Sequence, residues 1–252
     1  MLRNLWYRFG RALVSFLARG ILDLSIRTKA PIPQGPVILA ANHPSTSDPA
    51  ILTTLMNEKI SVLILDTLFK VPLFGKSLRF CGHIPVVYGK GQEALDAAEA
   101  LLKSGKSVAI FPEGLISPEG GFNPAHSGLA RLALSSGAPV VPVGIHLDQK
   151  QLHWVHTNVE GRDEVGAWYF HGPYAMTVGH ALQFQGEVQD RARVKEVTTV
   201  IMERIISLAG ESAARNRLAR RMNVMDTMRW LAWIPVRLVR SWSAFATVRI
   251  RY

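Results

Sequence analysis

Short apolar runs alternate with helical segments through the middle of the chain, and this alternation restricts the fold more than any other feature. The runs are rich in β-branched residues and read PVILAA, ISVLIL, GHIPVV, SVAIF and PVVPVGI. Two segments of helical composition, QEALDAAEALLK and SGLARLALSSG, separate the later runs and end near Gly105 and Gly137. Strands that alternate with helices predict an α/β fold, with a mostly parallel sheet flanked by helices.

The composition is that of one sizeable globular core without stabilising cross-links. The chain has 252 residues, of which 48% are hydrophobic and 19% are charged. Cys81 is the single cysteine, which excludes an intramolecular disulfide and a cysteine-based zinc site. The histidines between residues 146 and 180 lack the compact spacing of metal ligands. We therefore expect no metal and no bound cofactor.

The net charge of +10 is concentrated at the two ends of the chain. Residues 1–30 carry +5 and residues 191–252 carry +9, whereas residues 31–190 carry −4. Basic ends around a mildly acidic centre indicate two docking segments that flank a domain with another task. The sequence thus predicts an amphipathic basic helix over residues 1–29, an α/β domain over 30–190 and a basic, Trp/Arg-rich helical tail over 191–252.

The first segment has the apolar stripe of an amphipathic helix. Trp6, Phe9 and Phe16 follow the stripe, and Arg8 and Arg11 fall on the opposite side. Aromatic residues of such a helix can enter a lipid interface while the arginines stay at the headgroups. The charges that interrupt the apolar residues exclude a signal peptide. A helix that packs on its own domain is the alternative.

The C-terminal segment has similar chemistry. Trp230, Trp233 and Trp242 alternate with arginines, and Pro235 interrupts the helical pattern. Arg237 and its neighbours rule out a membrane span, which needs about 20 mainly apolar residues. We expect peripheral attachment to the cytoplasmic face of a membrane. Tryptophan and arginine together also suit single-stranded nucleic acid, but the acidic centre and the lack of a nucleic-acid motif argue against that alternative.

A histidine and an aspartate stand five positions apart directly after the first predicted strand, in ANHPSTSD over residues 41–48. Pro49 suits the first position of a helix, which predicts that Asp48 is the N-cap. The intervening residues can also fold back, so that Asp48 accepts a hydrogen bond from His43 and orients it as a general base. The sequence FPEG at 111–114 ends another predicted strand. Because ligand sites collect at the carboxyl ends of parallel strands, both clusters are expected at one sheet edge.

Four motifs in order resemble the glycerolphosphate and lysophosphatidate acyltransferase family. They are Asn42–Asp48, Gly82–Tyr88, Phe111–Ser117 and Val140–Val143, and the resemblance covers roughly residues 30–150. Members of this family move a fatty acyl group from a coenzyme A or acyl-carrier-protein thioester to a lipid hydroxyl. The resemblance implies an α/β acyltransferase fold and a role in phospholipid or glycerolipid synthesis.

The resemblance also implies residue roles. His43 would deprotonate the acceptor hydroxyl and Asp48 would orient His43, so that the acceptor oxygen attacks the thioester without a covalent acyl-enzyme. The residues implied to bind or shape the substrate site are Asn42, Tyr88, Lys90, Glu113, Gly114, Ser117 and His126. The implied partners are a lipid acceptor, an acyl-CoA or acyl-carrier-protein donor, and a membrane surface, without nucleic acid or metal.

The chain departs from the family at the positions implied to hold the acceptor's phosphate. Tyr88 stands in place of an arginine, with Lys90 two residues on, and Ile116 stands in place of a second arginine. His126 aligns with a lysine. Since tyrosine and isoleucine cannot form arginine's paired hydrogen bonds to phosphate, we expect an acceptor without a terminal phosphate to be preferred. Binding of phosphate by Lys90, His126 or Arg131 from shifted positions is the alternative.

A non-catalytic lipid-binding relative of the same fold is the second functional interpretation. Such a protein would keep the fold but would have no need of the general base. Retention of both His43 and Asp48 argues against it.

Overall fold

The computed structural model describes residues 2–159, 161–222 and 247–249, and contains ten strands within them. The strands are β1 Leu24–Thr28, β2 Ile38–Ala41, β3 Ile60–Leu65, β4 Ile84–Val86, β5 Ser107–Ile110, β6 Val140–Leu147, β7 Leu152–Val159, β8 Arg162–Tyr169, β9 Tyr174–Val178 and β10 Thr247–Arg249. The α-helices are α1 Leu2–Ile21, α2 Asp48–Leu52, α3 Phe74–Cys81, α4 Gly91–Lys103, α5 Gly128–Ser136 and α6 Arg191–Met222. Each of the five apolar runs in the sequence contributes one strand.

Seven of these strands form one sheet in the order β1-β9-β6-β2-β5-β3-β4. Neighbours from β6 to β4 pair in parallel, whereas β9 runs antiparallel to β6 and carries β1 along its outer edge. The predicted mostly parallel sheet is therefore confirmed, with an antiparallel portion at one side. The carboxyl ends of β2, β5 and β6 lie at the same edge of the sheet.

Alternate residues of β2 pack into two separate apolar layers, one on each face of the sheet. Ile38 and Ala40 face the layer that contains α4, α5 and α6, and Leu39 and Ala41 face the layer on the opposite side of the sheet. All four side chains are inaccessible to solvent. A parallel strand covered on both faces has no polar face, which explains why the sequence shows a continuous apolar run here.

Helix α6 is part of the core and not a separate tail. Its residues Val197, Ile201, Ile205 and Leu208 are buried, and its backbone passes so close to β6 that a Cβ at Gly144 would overlap it. The boundary predicted at residue 191 is therefore wrong for the first part of the tail, because these apolar residues complete the layer over the sheet. The tryptophans and arginines at 229–242 lie outside the described residues.

Helix α1 packs on the domain and displays its apolar stripe outward. Tyr7 and Ala18 are buried, and Arg11 donates a hydrogen bond to the Met56 carbonyl at 3.1 Å, so this side of the helix faces the protein, whereas Arg8 is exposed. Phe9 and Phe16 on the stripe are 62% and 74% exposed. The helix ends at Ile21, and Leu24–Thr28, which the sequence predicted to be helical, form β1 in the main sheet.

Strands β7 and β8 form an antiparallel hairpin outside the main sheet, and β10 pairs with β7. We call residues 152–169 the hairpin. Among the described residues, no helix combines the length and the apolar character needed to cross a bilayer. In the same part of the chain, no group of three His, Cys, Asp or Glu side chains is placed to hold a metal ion.

Candidate active site

His43 and Asp48 form a hydrogen-bonded pair at the carboxyl end of β2. We call residues 42–48, which join β2 to α2, the catalytic loop. Within it, His43 Nδ1 lies 3.0 Å from Asp48 Oδ2, and the carboxylate is fully buried. The Ser45 amide donates to the same oxygen at 2.7 Å. Asp48 is thus the first residue of α2 and not its N-cap; Ser47 takes the cap position without a side-chain hydrogen bond. The N-cap prediction is wrong because the carboxylate turns back towards the loop.

The imidazole ring of His43 is held on several sides. Its ring stacks on Phe111 with 4.1 Å between the ring centroids, and its backbone amide donates to Glu113 Oε1 at 3.1 Å. When Asp48 is ionised it can only accept a hydrogen bond, so Nδ1 is then the donor and Nε2 keeps a lone pair. This arrangement is that of a general base with its orienting carboxylate.

Burial dominates the electrostatics of Asp48. Loss of solvent raises the pKa of the Asp48 carboxyl above its usual range, while hydrogen bonds from His43, Tyr174 and Ser45 act in the opposite direction. When it is ionised, Asp48 is placed to stabilise an imidazolium formed at His43.

Three residues predicted to bind substrate are buried and hydrogen-bonded within the protein. Both polar atoms of the Asn42 amide pair with the backbone of Ile145 at 2.9 and 2.7 Å. Glu113 accepts from the His43 amide, the Ser117 hydroxyl and the Asn123 amide. Because the polar groups of Asn42, Glu113 and Ser117 are already hydrogen-bonded within the protein, we expect these residues to hold the catalytic loop and the turn after β5 in place, without direct contact with substrate.

Gly114 lies where only glycine fits without strain. Its φ of +68° is in the left-handed region, and a Cβ at this position would lie 3.0 Å from the His126 ring. The absence of a side chain therefore lets the His126 ring approach the turn that follows β5. Both residues line the same cavity as His43.

A mostly apolar cavity of about 970 Å³ opens in front of His43. Tyr88 and Ile116 line it together with Gly114 and His126. Lys90 is not in the lining, and its ammonium lies 3.3 Å from Glu93 on the surface. Arg131 lies in a separate groove beside α6. Within the described part of the chain, no arginine lines the cavity, and the lysine that does so is Lys70.

Comparison with known proteins shows what the segment that carries this site is similar to. A family model described as Acyltransferase matches residues 23–146. The segment that contains His43 and Asp48 is thus similar to the acyltransferase family. The matched segment contains β1 to β5, most of β6, the catalytic loop and the turn after β5.

Curated relatives share this domain over different fractions of their length. A 1-acyl-sn-glycerol-3-phosphate acyltransferase from Pseudomonas aeruginosa is 27% identical over 186 residues, which cover 72% of this chain and 67% of that protein. The chloroplastic acyltransferase LPAT1 of Arabidopsis thaliana is 31% identical, over 43% of this chain and 31% of the relative. The Saccharomyces cerevisiae enzyme of the same activity is 30% identical, over 48% and 42%. The chain thus spans less than half of the plant and yeast relatives.

A solved structure has the same fold. The crystal structure of the 1-acyl-sn-glycerophosphate acyltransferase PlsC from Thermotoga maritima aligns with a TM-score of 0.56. The alignment covers 82% of this chain and 79% of the other, at 20% sequence identity. The likeness therefore extends beyond the matched domain at the level of the fold.

The hairpin lies outside the matched segment and was missed in the sequence. The Thr46 amide donates to the Ala167 carbonyl at 2.7 Å, and the Ala167 amide donates to Thr46 Oγ1 at 2.9 Å. The Ser47 hydroxyl donates to the Tyr169 carbonyl at 3.1 Å and accepts from the Tyr169 amide. The catalytic loop is thus joined to β8 at two consecutive residues, and Trp168 of the same strand lines the cavity.

Proposed function

We propose that this protein transfers a fatty acyl group from a coenzyme A or acyl-carrier-protein thioester to the hydroxyl of a lipid acceptor, in phospholipid or glycerolipid synthesis. The observation that carries the proposal is the His43–Asp48 pair at 3.0 Å, facing an apolar cavity within a segment similar to the acyltransferase family. The names of the curated relatives support the same class of reaction.

The proposed reaction uses His43 first as a base and then as an acid. Nε2 of His43 accepts the proton of the acceptor hydroxyl, and the acceptor oxygen attacks the thioester carbonyl. The tetrahedral intermediate then expels the thiolate, which takes the proton from the imidazolium, so that ester and free thiol are released. Asp48 stabilises the imidazolium between the two steps.

The lining of the cavity suits an acyl chain. Leu65, Leu68, Ile110 and Val155 are among its apolar residues. Each buried methylene contributes about 0.8 kcal/mol to binding, so several methylenes would hold a donor chain firmly next to His43. The same cavity favours a non-catalytic lipid-binding protein as the second candidate function, which an activity measurement separates from the first.

The headgroup of the acceptor is proposed to lack a phosphate monoester. Tyr88 is 62% exposed at the cavity, and Ile116 presents no polar group there. A phosphate monoester carries nearly two negative charges, and poor pairing of these charges in a partly buried site opposes binding. Lysophosphatidate, the acceptor type in the relatives' names, is the leading alternative. In that case Lys70, which lines the cavity, would be a cation available to bind its phosphate.

Attachment to a membrane surface is proposed through α1. The helix presents Phe9 and Phe16 to solvent, while Tyr7, Arg11 and Ala18 on its other side pack on the domain. An exposed aromatic stripe on a helix anchored to the enzyme suits shallow insertion at a lipid interface. We place this attachment on the cytoplasmic face, where acyl-CoA and acyl carrier protein are made.

Release of thiol from a long-chain acyl donor tests the proposal directly. The protein is expected to release thiol from acyl-CoA or acyl carrier protein only when a lipid acceptor is added. A His43→Ala variant serves as the control for contaminating activity. Lipid binding without thiol release, across both donors and a panel of acceptors, would contradict the proposal and favour the non-catalytic interpretation.

A further inference from the structure

Tyr174 lies next to the catalytic pair although it is remote from it in sequence. It is the first residue of β9 and pairs with Leu147, the last residue of β6. Because β9 runs antiparallel to β6, its first residue lies at the sheet edge where the parallel strands end. Its hydroxyl donates to Asp48 Oδ1 at 2.7 Å. This tyrosine is beyond the matched segment and was not among the predicted site residues.

The two oxygens of Asp48 have different partners. Oδ2 accepts from the His43 ring and the Ser45 amide, while Oδ1 accepts from the Tyr174 hydroxyl. Asp48 and Tyr174 are both inaccessible to solvent, so water does not replace these donors. A buried carboxylate depends on hydrogen bonds for its charge and on their directions for its orientation.

We propose that Tyr174 is a positioning residue for acyl transfer: by holding Oδ1 it keeps Oδ2 of Asp48 aimed at Nδ1 of His43. The inference rests on the proposed function, since it assigns Tyr174 a part in that reaction. Tyr174 does not line the cavity and would not touch either substrate. Its contribution would therefore appear in turnover and in proton affinity.

The surroundings keep the tyrosine in its donor form. Burial, followed by the charge of Asp48, raises the pKa of Tyr174 well above its usual value, so the hydroxyl stays protonated at neutral pH. Other titratable groups near Tyr174 and Asp48 are His43 after β2, Tyr169 at the end of β8 and Glu113 after β5. The Tyr169 hydroxyl lies within hydrogen-bond distance of Gln151 Oε1 and the Pro173 carbonyl, and Glu113 accepts from the His43 and Asn123 backbone amides and the Ser117 hydroxyl.

Removal of the hydroxyl should raise the affinity of the His43–Asp48 pair for a proton. Without the Tyr174 donor, more of the carboxylate charge acts on the imidazole, and the carboxylate itself is less well stabilised. Either effect makes the pair bind a proton more tightly. Since transfer needs neutral His43, the acidic limb of the pH profile is expected to move to higher pH.

The test compares Tyr174→Phe with Tyr169→Phe in the full chain. Tyr169 is nearly as buried, its ring centroid lies 6.1 Å from that of Tyr174, and its hydroxyl donates to the Pro173 carbonyl at 3.1 Å. For Tyr174→Phe we expect kcat to fall by about tenfold to a hundredfold, the range for a hydrogen bond to a charged group. KM should change little, and the acidic limb should rise by up to about one pH unit. Tyr169→Phe should lower stability without moving the limb.

Nuclear magnetic resonance titration of His43 makes the test independent of turnover. The apparent pKa of the His43–Asp48 pair should be higher in Tyr174→Phe than in wild type, even if no acceptor is found. If Tyr174→Phe does not fold, the wild-type Tyr174 hydroxyl proton should resonate far downfield and exchange slowly with water. An unmoved titration and pH profile in the folded variant, or a freely exchanging hydroxyl proton, would overturn the inference. Absence of thiol release by wild type would count against the proposed function alone.

Discussion

The catalytic loop and the hairpin meet at one cavity but contribute different chemistry to it. The loop brings His43 and Asp48, the groups that can accept and stabilise a proton, and it does so within a turn of a few residues. The hairpin contributes apolar side chains such as Val155 and Trp168, and backbone groups that hold Thr46 and Ser47. The difference separates two tasks: the loop is expected to determine the rate of the chemical step, and the hairpin to determine which chains fit.

Replacement of His43 should have the largest effect on activity. His43→Ala removes the base and is expected to lower turnover by about 10²–10⁴-fold, with an unchanged circular dichroism spectrum. Asp48→Asn should also impair turnover, because an amide cannot accept from both the His43 ring and Tyr174. It should destabilise the fold as well, since Asp48 is fully buried and holds three donors. Near-normal transfer by folded His43→Ala protein would disprove the mechanism.

The loop was predictable from sequence because its interactions are local. The strand before it is a short apolar run, and the His43–Asp48 contact joins residues five positions apart. The partners that complete the site are much further apart in sequence: Asp48 and Tyr174 are separated by 126 positions, and Thr46 and Ala167 by 121 positions. A pattern of hydrophobicity identifies strands but does not specify which distant residue a buried hydroxyl will reach.

Side-chain direction was a second limit on prediction. The resemblance picked out Asn42 and Glu113, but the fold turns their polar groups towards Ile145 and the His43 backbone. For α6, the basic composition described the exposed side of the helix, whereas Val197 and Ile201 on its other side complete the core. In both cases the residue type was informative, and the direction it faces depended on tertiary packing.

The acceptor's headgroup should give the next largest effect. In a competition with equal concentrations of lysophosphatidate and its phosphodiester or phosphate-free counterparts, we expect the acceptor without a phosphate monoester to be preferred by an order of magnitude or more, about 1.4 kcal/mol per factor of ten. The physical reason is the lack of a paired arginine donor at Tyr88 and Ile116.

Two lysine variants decide the outcome of that competition. Lys70 lines the cavity, 3.6 Å from Asp66, whereas Lys90 lies outside it beside Glu93. A clear preference for lysophosphatidate that disappears in Lys70→Met or Lys90→Ala would contradict the prediction and show which lysine binds the phosphate. Preservation of the preference in both variants would point to His126.

The hairpin should affect chain selection more than the chemical step. Trp168→Ala removes a large side chain from the cavity wall and so enlarges the cavity. The ratio of kcat/KM between long and medium acyl chains is expected to change by about tenfold, since each methylene contributes about 0.8 kcal/mol to binding. Trp154→Ala is a matched control on the opposite strand, because Trp154 is 46% exposed and does not line the cavity. Equal effects of the two variants on chain preference would show that the hairpin acts only through stability.

Changes on the surface of α1 are expected to have the smallest effect on catalysis, because none of the described residues of α1 lines the cavity. Phe9→Ser with Phe16→Ser removes two exposed rings and should leave the unfolding midpoint nearly unchanged. Co-sedimentation with anionic vesicles should fall several-fold, because less apolar surface enters the interface. Ile206→Ser on α6, a partly exposed apolar residue outside the stripe, is the control and should bind vesicles like wild type.

Thiol release from dispersed substrates should be retained by the Phe9→Ser, Phe16→Ser variant, since the cavity and His43 are untouched. Vesicle binding that survives the double variant but is lost on deletion of residues 223–252 would assign docking to the C-terminal segment, and tight RNA binding without vesicle binding would favour the nucleic-acid alternative.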